Sequence, residues 1–589
     1  MFANLRSFLH TLRQEKDLVD IDTEVDPYLE LAEIHRRVIA EGGPALLFRR
    51  VKGSPFPVVT NLFGTRRRVD LAVGPRPERV VEQAVEALPE LLPPRPFKLW
   101  RAKGWLWPLM QSGLRQVSRQ RAPVLEVWEQ EPDLTLLPAL TSWPEDGGPF
   151  VTLPLVYTEH PLTREHNLGM YRIQIYGPTQ TGIHWQIHKG GGFHYYAAEQ
   201  LDQALPMTLF LGGPPVLTFA AVAPLPEMVP ELLFASFLLG RKLTRVEVAG
   251  HPHPLVAEAE FAICGEVPPR ERRAEGPFGD HYGYYSLQHD FPVFRVQKVF
   301  HRRDAIYPAT VVGKPRQEDY FLGEYLQELL RPLFPVVMPG VRDLKSYAET
   351  GFHALVAAVV RESYHREALT HAFHILGEAQ LALTKFLMLT DVPVDLANFP
   401  EVLCTVLARF EPEQDLLILP ETAMDTLDYT GRRLNHGSKA IMLGLGLAKR
   451  ALPRAYTGSW PRGISAGQAY CPGCLLLKGP RFVEAPDLAA EVQRDLDPSL
   501  RQWPLLILVD DLELCQTQTG FLWQVFTRFD PAHDIYAESE VVNHKLIYHG
   551  PLLIDARMKP DYPDEVAPDP ETVRLVDRRW GEYGIAGKG

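Results

Sequence analysis

The stretch EGPFGDHYGYY, residues 275 to 285, sets two carboxylates, Glu275 and Asp280, five residues apart around Gly-Pro-Phe-Gly, with His281 and three tyrosines after them. Two acids in one aromatic pocket take different protonation roles when their surroundings differ, because burial raises a carboxyl pKa and a neighbouring guanidinium lowers it. Beside Glu275, Arg172 would hold that acid ionised and leave Asp280 to carry the proton. A Gly-Pro turn with exposed acids uses the same residue types, so the segment acquires a function only through its partners.

A second set of chemically able residues lies upstream in NLGMYRIQIYGPTQTGIHWQIHKGGG, residues 167 to 192, which offers Asn167, Arg172, His184, His188 and Lys189 before three glycines. Glycines let backbone approach a phosphate and a nearby cation helps to hold it, although neither the P-loop nor the dinucleotide fingerprint is present. A hairpin with a polar exposed face would read the same way. Asn167 and His188, joined by the carboxylate of Glu231, would make an O, N, O donor set that suits Mn²⁺ or Mg²⁺ better than zinc. Glu231 also suits the first turn of a helix, where the dipole favours an acid. Cys471 and Cys474 in CPGC lack the second pair that a zinc site needs and read as a reduced loop.

The elements that must carry these residues change character along the chain. Residues 1–115 read as a small α/β domain: an amphipathic helix with Phe2, Leu5, Leu9 and Leu12 on one side, a helix near 28–41, strands in ALLFRR and FPVVTNLFG, and a helix around 78–91. The proline tract ELLPPRPFKLW then marks a linker. Residues 116–318 show short alternating runs of β-branched and aromatic residues, including a hairpin over FPVFRVQKVFHRRDAIYPATVVG and a helical insert, PELLFASFLLGRK. From 319 to 500 the pattern is βαβ, and 501–589 holds a second copy and a tail: FLMLTD…ARFEPEQD and LLILVDD…TRFDPAHD share strand, acidic turn, helix and Arg-Phe-x-Pro-x-x-Asp, with Arg409 matching Arg528.

The 589 residues exceed what one core supports, so several domains are expected. A formal charge of -12 argues against a broad nucleic-acid surface, and no window approaches 18 consecutive apolar residues, which points to a soluble, cytoplasmic chain with at most peripheral membrane contact. Five cysteines at this length make no disulfide framework.

The ordered series WPEDGGPFVTLPLVYTEHP, NLGMYR, HWQIHKGG, PELLFASFLLGRK, EGPFGDHYGYY, DAIYPATVVGKP and LDYTGRRLNHGSK resembles the successive motifs of the UbiD family of decarboxylases over about 120–440. That resemblance implies a central split β-barrel that binds prenylated FMN, with Mn²⁺, or Mg²⁺, and often K⁺ at its phosphate, and loss of carbon dioxide from an aromatic or α,β-unsaturated acid. It implies Asn167, His188 and Glu231 as metal ligands, and Met170, Tyr171, Arg172, His184, Trp185, Gln186, Lys189 and Gly190 as cofactor contacts. Arg172, Glu275 and Asp280 resemble the catalytic network, and Lys439 the cofactor-side lysine, with Lys545 and Lys559 as rivals. A flavin prenyltransferase as cofactor supplier, a homo-oligomer and a place in quinone biosynthesis follow as expectations. His184 and Lys189 stand where many relatives carry Arg, which alters the expected phosphate grip. The competing readings are an oxidoreductase using unmodified FMN and a non-catalytic flavin-binding paralogue; the latter would be marked by loss of one catalytic acid, and both acids are present.

Overall fold

The computed structural model describes the chain except for residues 76, 80, 83–84, 86–110, 187–188, 226–228, 315, 432 and 586–589. The proline linker, much of the helix expected near 78–91, and His188 therefore lie outside the described residues. Two compact units emerge, Met1–Leu329 with Asp564–Gly589, and Leu330–Pro563.

The first unit opens with the helix Leu5–Gln14, started by Asn4, whose side chain accepts the Ser7 N–H at 3.0 Å. Leu5, Phe8, Leu9 and Leu12 recur at helical spacing and are buried against a four-stranded sheet. That sheet runs in the order Leu18–Ile21, Ala45–Phe48, Val58–Thr60, Tyr307–Pro308. The last strand corrects an expectation. Tyr307–Pro308 does not fold back on the strand before it as a hairpin but pairs in parallel with Val58–Thr60. Pro308 has no N–H to offer a second neighbour, which an edge position tolerates and an interior one does not.

A ten-stranded sheet carries the centre, in the order Phe150–Val151, Ile173–Gly177, Gln180–Ile183, His289–His301, Phe261–Val267, Leu205–Leu211, Leu155–Glu159, His166–Gly169. Arg272–Glu275 and Val127–Glu129 also pair with the 13-residue strand His289–His301. The ladder is an open path among the described strands, with no closure into a barrel. The helix Glu231–Leu239 begins after Pro230 and stops at Gly240, which takes the left-handed conformation at φ +71° that ends a helix cheaply.

The second unit contains two five-stranded sheets of one design. The first is ordered Val341–Ser346, Leu355–Val360, Phe386–Thr390, His436–Gly444, Leu416–Ala423; the second, Ala466–Cys471, Cys474–Lys478, Leu505–Val509, Lys545–Asp555, Ile535–Val542. In both, the two inner pairings are parallel and the outer two antiparallel. The repeated Pro-x-x-Asp is the reason each outer strand starts where it does. Asp415 Oδ2 accepts from Glu411 N at 2.9 Å and Asp534 Oδ2 from Asp530 N at 2.7 Å, closing one helical turn before the strand leaves. The matched arginines have diverged: Arg409 donates to Gly446 O and Thr405 O, whereas Arg528 pairs with Asp510 at 2.9 Å. Cys471 and Cys474 face each other across a two-residue turn as free thiols.

After Pro563 the chain returns to the first unit. Tyr285 N donates to Asp564 O and Val566 N to Gly283 O, both at 3.0 Å, and the helix Pro570–Arg579 is tied to Glu30–Ala40 by Arg37–Asp577 at 2.6 Å. In the second repeat Arg557 and Asp555 form a fully buried pair at 2.7 Å, with Arg557 also donating to Pro480 O and Ala485 O. Removing one member strands a buried charge, so Arg557→Ala is expected to destabilise this unit by about 3–5 kcal/mol in chemical denaturation.

Candidate active site

Arg172 owes its position to the hairpin Ile173–Gly177/Gln180–Ile183. The register Ile173↔Ile183 leaves Arg172 and His184 facing each other at its open end, where His184 N donates to Arg172 O at 3.2 Å. Gln180–Ile183 pairs next with His289–His301, and that strand sets Glu275 opposite His289. Four successively paired strands, the last being Arg272–Glu275, thus converge Arg172, His184 and Glu275 although the last lies about a hundred residues away in sequence.

The guanidinium is divided between two acids. Nε donates to Glu275 Oε1 at 2.7 Å and Nη2 to Glu275 Oε2 at 2.9 Å, a two-pronged pair, while Nη1 donates to Asp280 Oδ2. Nη2 also reaches Ser286 Oγ at 2.9 Å, and the Phe278 ring lies 4.8 Å beneath the guanidinium carbon. His184 Nδ1 is 3.1 Å from Glu275 Oε2, its ring against Phe291. His281 Nδ1 and its backbone N–H each sit 2.7 Å from Asp280 Oδ1. Glu275 is fully shielded and Asp280 nearly so.

Burial alone would raise the Glu275 carboxyl, but Arg172 and His184 hold it down to about 2. Burial pushes the same way on Asp280 and is likewise overcome, by His281 and Arg172, so that this carboxyl also lies below the usual carboxylate range. This differs from the expected proton-carrying Asp280: hydrogen bonds from His281 and the charge of Arg172 both favour its ionised form. Burial and the nearby Arg172 lower the pKa of His184, leaving it a neutral donor to Glu275.

The turn that holds the acids is fastened by residues outside the expected set. Asp146 accepts Gly279 N at 2.8 Å on one oxygen and Ser142 N and Trp143 N at 2.8 and 3.0 Å on the other; burial still raises its carboxyl to about 6. Gln174 accepts Gly276 N at 2.9 Å and donates to Gly147 O at 2.7 Å. Asp146 stands inside the motif WPEDGGPF, which signals it, whereas Gln174 sits at the polar position between Ile173 and Ile175 and is buried on a strand whose first three residues are all buried.

Asn167 and Glu231 come together around the strand His166–Gly169, since Glu231 Oε2 accepts Leu168 N at 3.2 Å. Asn167 Nδ2 donates to Tyr171 Oη at 3.2 Å, as does Gly191 N at 3.1 Å. Burial raises the carboxyl of Glu231. An amide and a carboxylate oxygen are hard donors of the kind Mn²⁺ or Mg²⁺ takes, although no group of three His, Cys, Asp or Glu able to hold a metal occurs among the described residues. Lys189 precedes the helix Gly190–Gln200, where a Cβ on Gly190 would lie 2.3 Å from Asn167 Oδ1 and one on Gly191 2.6 Å from Trp185 Nε1. Only glycine permits that approach. Trp185 Nε1 and His184 Nε2 are buried without a hydrogen-bond partner among the described residues. Met170 packs at the margin of the core and Gln186 is partly exposed. These features fit a phosphate-bearing flavin with a hard cation. Lys439 belongs to the other unit, buried on His436–Gly444 with Nζ donating to Thr384 O at 2.8 Å and burial lowering it to about 8.

Family models for the 3-octaprenyl-4-hydroxybenzoate carboxy-lyase match the chain in three parts: the N-terminal domain over 9–88, the Rift-related domain over 115–315 and the C-terminal domain over 320–444. The chain belongs to the UbiD family. Its members are carboxy-lyases, and this chain has their three-domain fold of mixed sheets and helices. A UbiD relative from Chlamydia pneumoniae, named as one of the subunits of a 4-hydroxybenzoate decarboxylase, is 52% identical over 581 residues, 98% of each chain. An evolved dimeric form of the UbiD-class enzyme HmfF from Pelotomaculum thermopropionicum, in complex with prFMN, superposes with TM-score 0.61 at 25% identity over 75% of this chain and 95% of its own. The closed vanillic acid decarboxylase of Sedimentibacter hydroxybenzoicus shares the fold with TM-score 0.67 at 24% identity, over 78% and 96%. Among the described residues no helix is long and apolar enough to cross a membrane.

The depressed Glu275 carboxyl makes a stability prediction. Its contribution is complete above the unfolded value near 4.5 and is lost as pH falls towards about 2. Wild type should therefore exceed Glu275→Gln by on the order of 3 kcal/mol above pH 5, with the gap closing between pH 4.5 and 2 in denaturant titrations.

Proposed function

We propose that the chain is a prenylated-FMN-dependent decarboxylase of an aromatic acid, with a hydroxylated benzoate as the substrate class. One observation carries the reading: a single buried guanidinium divided between Glu275 and Asp280, beside a glycine-lined surface suited to a flavin phosphate. The name of the Chlamydia pneumoniae relative supports a hydroxybenzoate, and the prFMN bound by the Pelotomaculum enzyme supports the cofactor. A quinone precursor such as a 4-hydroxy-3-polyprenylbenzoate belongs to that class, and a dihydroxynaphthoate is its bicyclic counterpart among hydroxylated aromatic acids.

Loss of carbon dioxide from an aryl acid leaves electrons in an in-plane orbital that the ring does not stabilise, so the chemistry asked of a bound prenylated FMN is that of an electron sink. Asn167, Glu231 and His188 are the proposed ligands of Mn²⁺, with K⁺ as a further phosphate-side cation; Tyr171, His184, Trp185, Lys189 and Gly190 are the proposed flavin contacts, and Lys439 a further one. A flavin prenyltransferase would supply the cofactor, and a homo-oligomer is the proposed assembly.

The side chains then have separate tasks. Glu275 keeps the Nε and Nη2 edge of Arg172, which leaves Nη1 as the edge that an incoming carboxylate can claim. Asp280 loses Arg172 in that exchange, its carboxyl rises, and it becomes able to carry a proton to the carbon that carbon dioxide leaves. Catalysis and substrate recognition are thus exchanged through one nitrogen.

Protein co-expressed with a flavin prenyltransferase should release prenylated FMN, seen by mass spectrometry, with manganese near one per chain, and should decarboxylate a hydroxybenzoate. Plain FMN and no carbon dioxide from any aromatic acid would sink the proposal. Asp280→Asn should retain cofactor and lose turnover by at least about 100-fold. Glu231→Ala should lower manganese content and flavin retention together.

A further inference from the structure

Decarboxylation replaces a carbon–carboxylate bond by a carbon–hydrogen bond, so each turnover consumes one proton: a carboxylate and a proton give the decarboxylated product and carbon dioxide. Asp280 rests as a carboxylate, with Oδ2 on Arg172 and Oδ1 on His281, and has no proton of its own to begin with. These two side chains hydrogen-bond Asp280, and they differ in what they can give. A guanidinium does not release a proton in a protein, and the His281 and Tyr284 backbone groups at Asp280 do not either. An imidazole exchanges protons near neutral pH. It is also the member of the group that meets water: the His281 side chain is 24% exposed, against 10% for Asp280 and 8% for Arg172.

The imidazole lies among acidic neighbours. His281 has the Asp280 carboxylate at 2.7 Å and feels the Asp319 carboxyl on the helix Glu318–Leu330, with the Tyr282 ring edge-on at 5.2 Å. The cation Arg172 stands on the far oxygen of Asp280. Backbone bonds fix the geometry, Asp280 N donating to Tyr284 O at 3.0 Å and Gly283 N to Asp280 O at 2.9 Å, so the ring and the acid stay in register.

We propose that His281 passes the proton on its Nδ1 to Asp280 Oδ1 once a substrate carboxylate has taken Nη1 of Arg172, and is then reprotonated from solvent. The Nδ1–H bond breaks as the Oδ1–H bond forms; Asp280 gives that proton to carbon and returns to carboxylate; one solvent proton is consumed. This relay rests on the decarboxylase reading and assigns His281 as a positioning residue that acts through Asp280.

The test uses prenyltransferase-loaded wild type, His281→Gln and His281→Phe with a hydroxybenzoate, with kcat and KM followed against pH with and without added imidazole. The relay predicts a kcat loss of about 100-fold with KM within about twofold, and partial recovery that follows the concentration of imidazolium. A kcat within about threefold of wild type, or a large loss that imidazole does not lift at any pH, would overturn it. A second arm is independent of turnover: nitrogen NMR of the cofactor-free protein should show the His281 titration midpoint falling when Asp280 is changed to Asn. An unmoved midpoint also overturns the relay. Inactive wild type counts against the decarboxylase reading, and active wild type with an indifferent His281→Gln counts against the relay alone.

Discussion

Everything at the site depends on one cation shared by two carboxylates, one fully and one nearly shielded from water. Two ionised acids this close would repel each other in a shielded pocket, and each alone would pick up a proton. Arg172 removes both penalties at once, because a planar fork presents two parallel donors to Glu275 and still has Nη1 for Asp280. A lysine in its place would neutralise one charge without the fixed geometry.

The rest of the first unit serves to hold that fork still. A hairpin sets Arg172 against His184, the long strand His289–His301 carries the register across to Glu275, and Asp146 and Gln174 fasten the turn that leads to Asp280. Buried polar groups are costly unless satisfied, and here the acids, the guanidinium and the turn's N–H groups satisfy one another. The start of the helix Gly190–Gln200 follows a different logic, in which missing side chains at Gly190 and Gly191 make room instead of contacts.

Much of this was legible from residue types. Alternation in YRIQIYG, helical spacing in the first twelve residues and the repeated Arg-Phe-x-Pro-x-x-Asp all correspond to elements that form for the stated reasons. What was not legible depended on distances that only folding sets. The contacts of His281 and Arg172 with Asp280 favour its ionised form, against expectation, and the contact between His184 and Glu275 gave that histidine a partner other than a phosphate. Local pattern also misled at Tyr307–Pro308, where turn residues after a strand looked like a hairpin and a neighbour more than two hundred residues earlier won the pairing. Asp146 and Gln174 were visible but unremarkable, because a buried acid that accepts backbone N–H groups has the same letter as an exposed one.

The loop that bears Asp280 takes its last backbone contacts from Asp564 and Val566. Gly283 and Tyr285 find their backbone partners in Val566 and Asp564, and the helix beyond them is tied to Glu30–Ala40. During synthesis, residues 1–329 emerge well before those partners exist, since the whole of Leu330–Pro563 must be made in between. The loop that bears Asp280 therefore remains unfinished until Leu330–Pro563 has been made, and residues 1–329 alone carry Arg172, Glu275 and Asp280 without the segment that braces their loop.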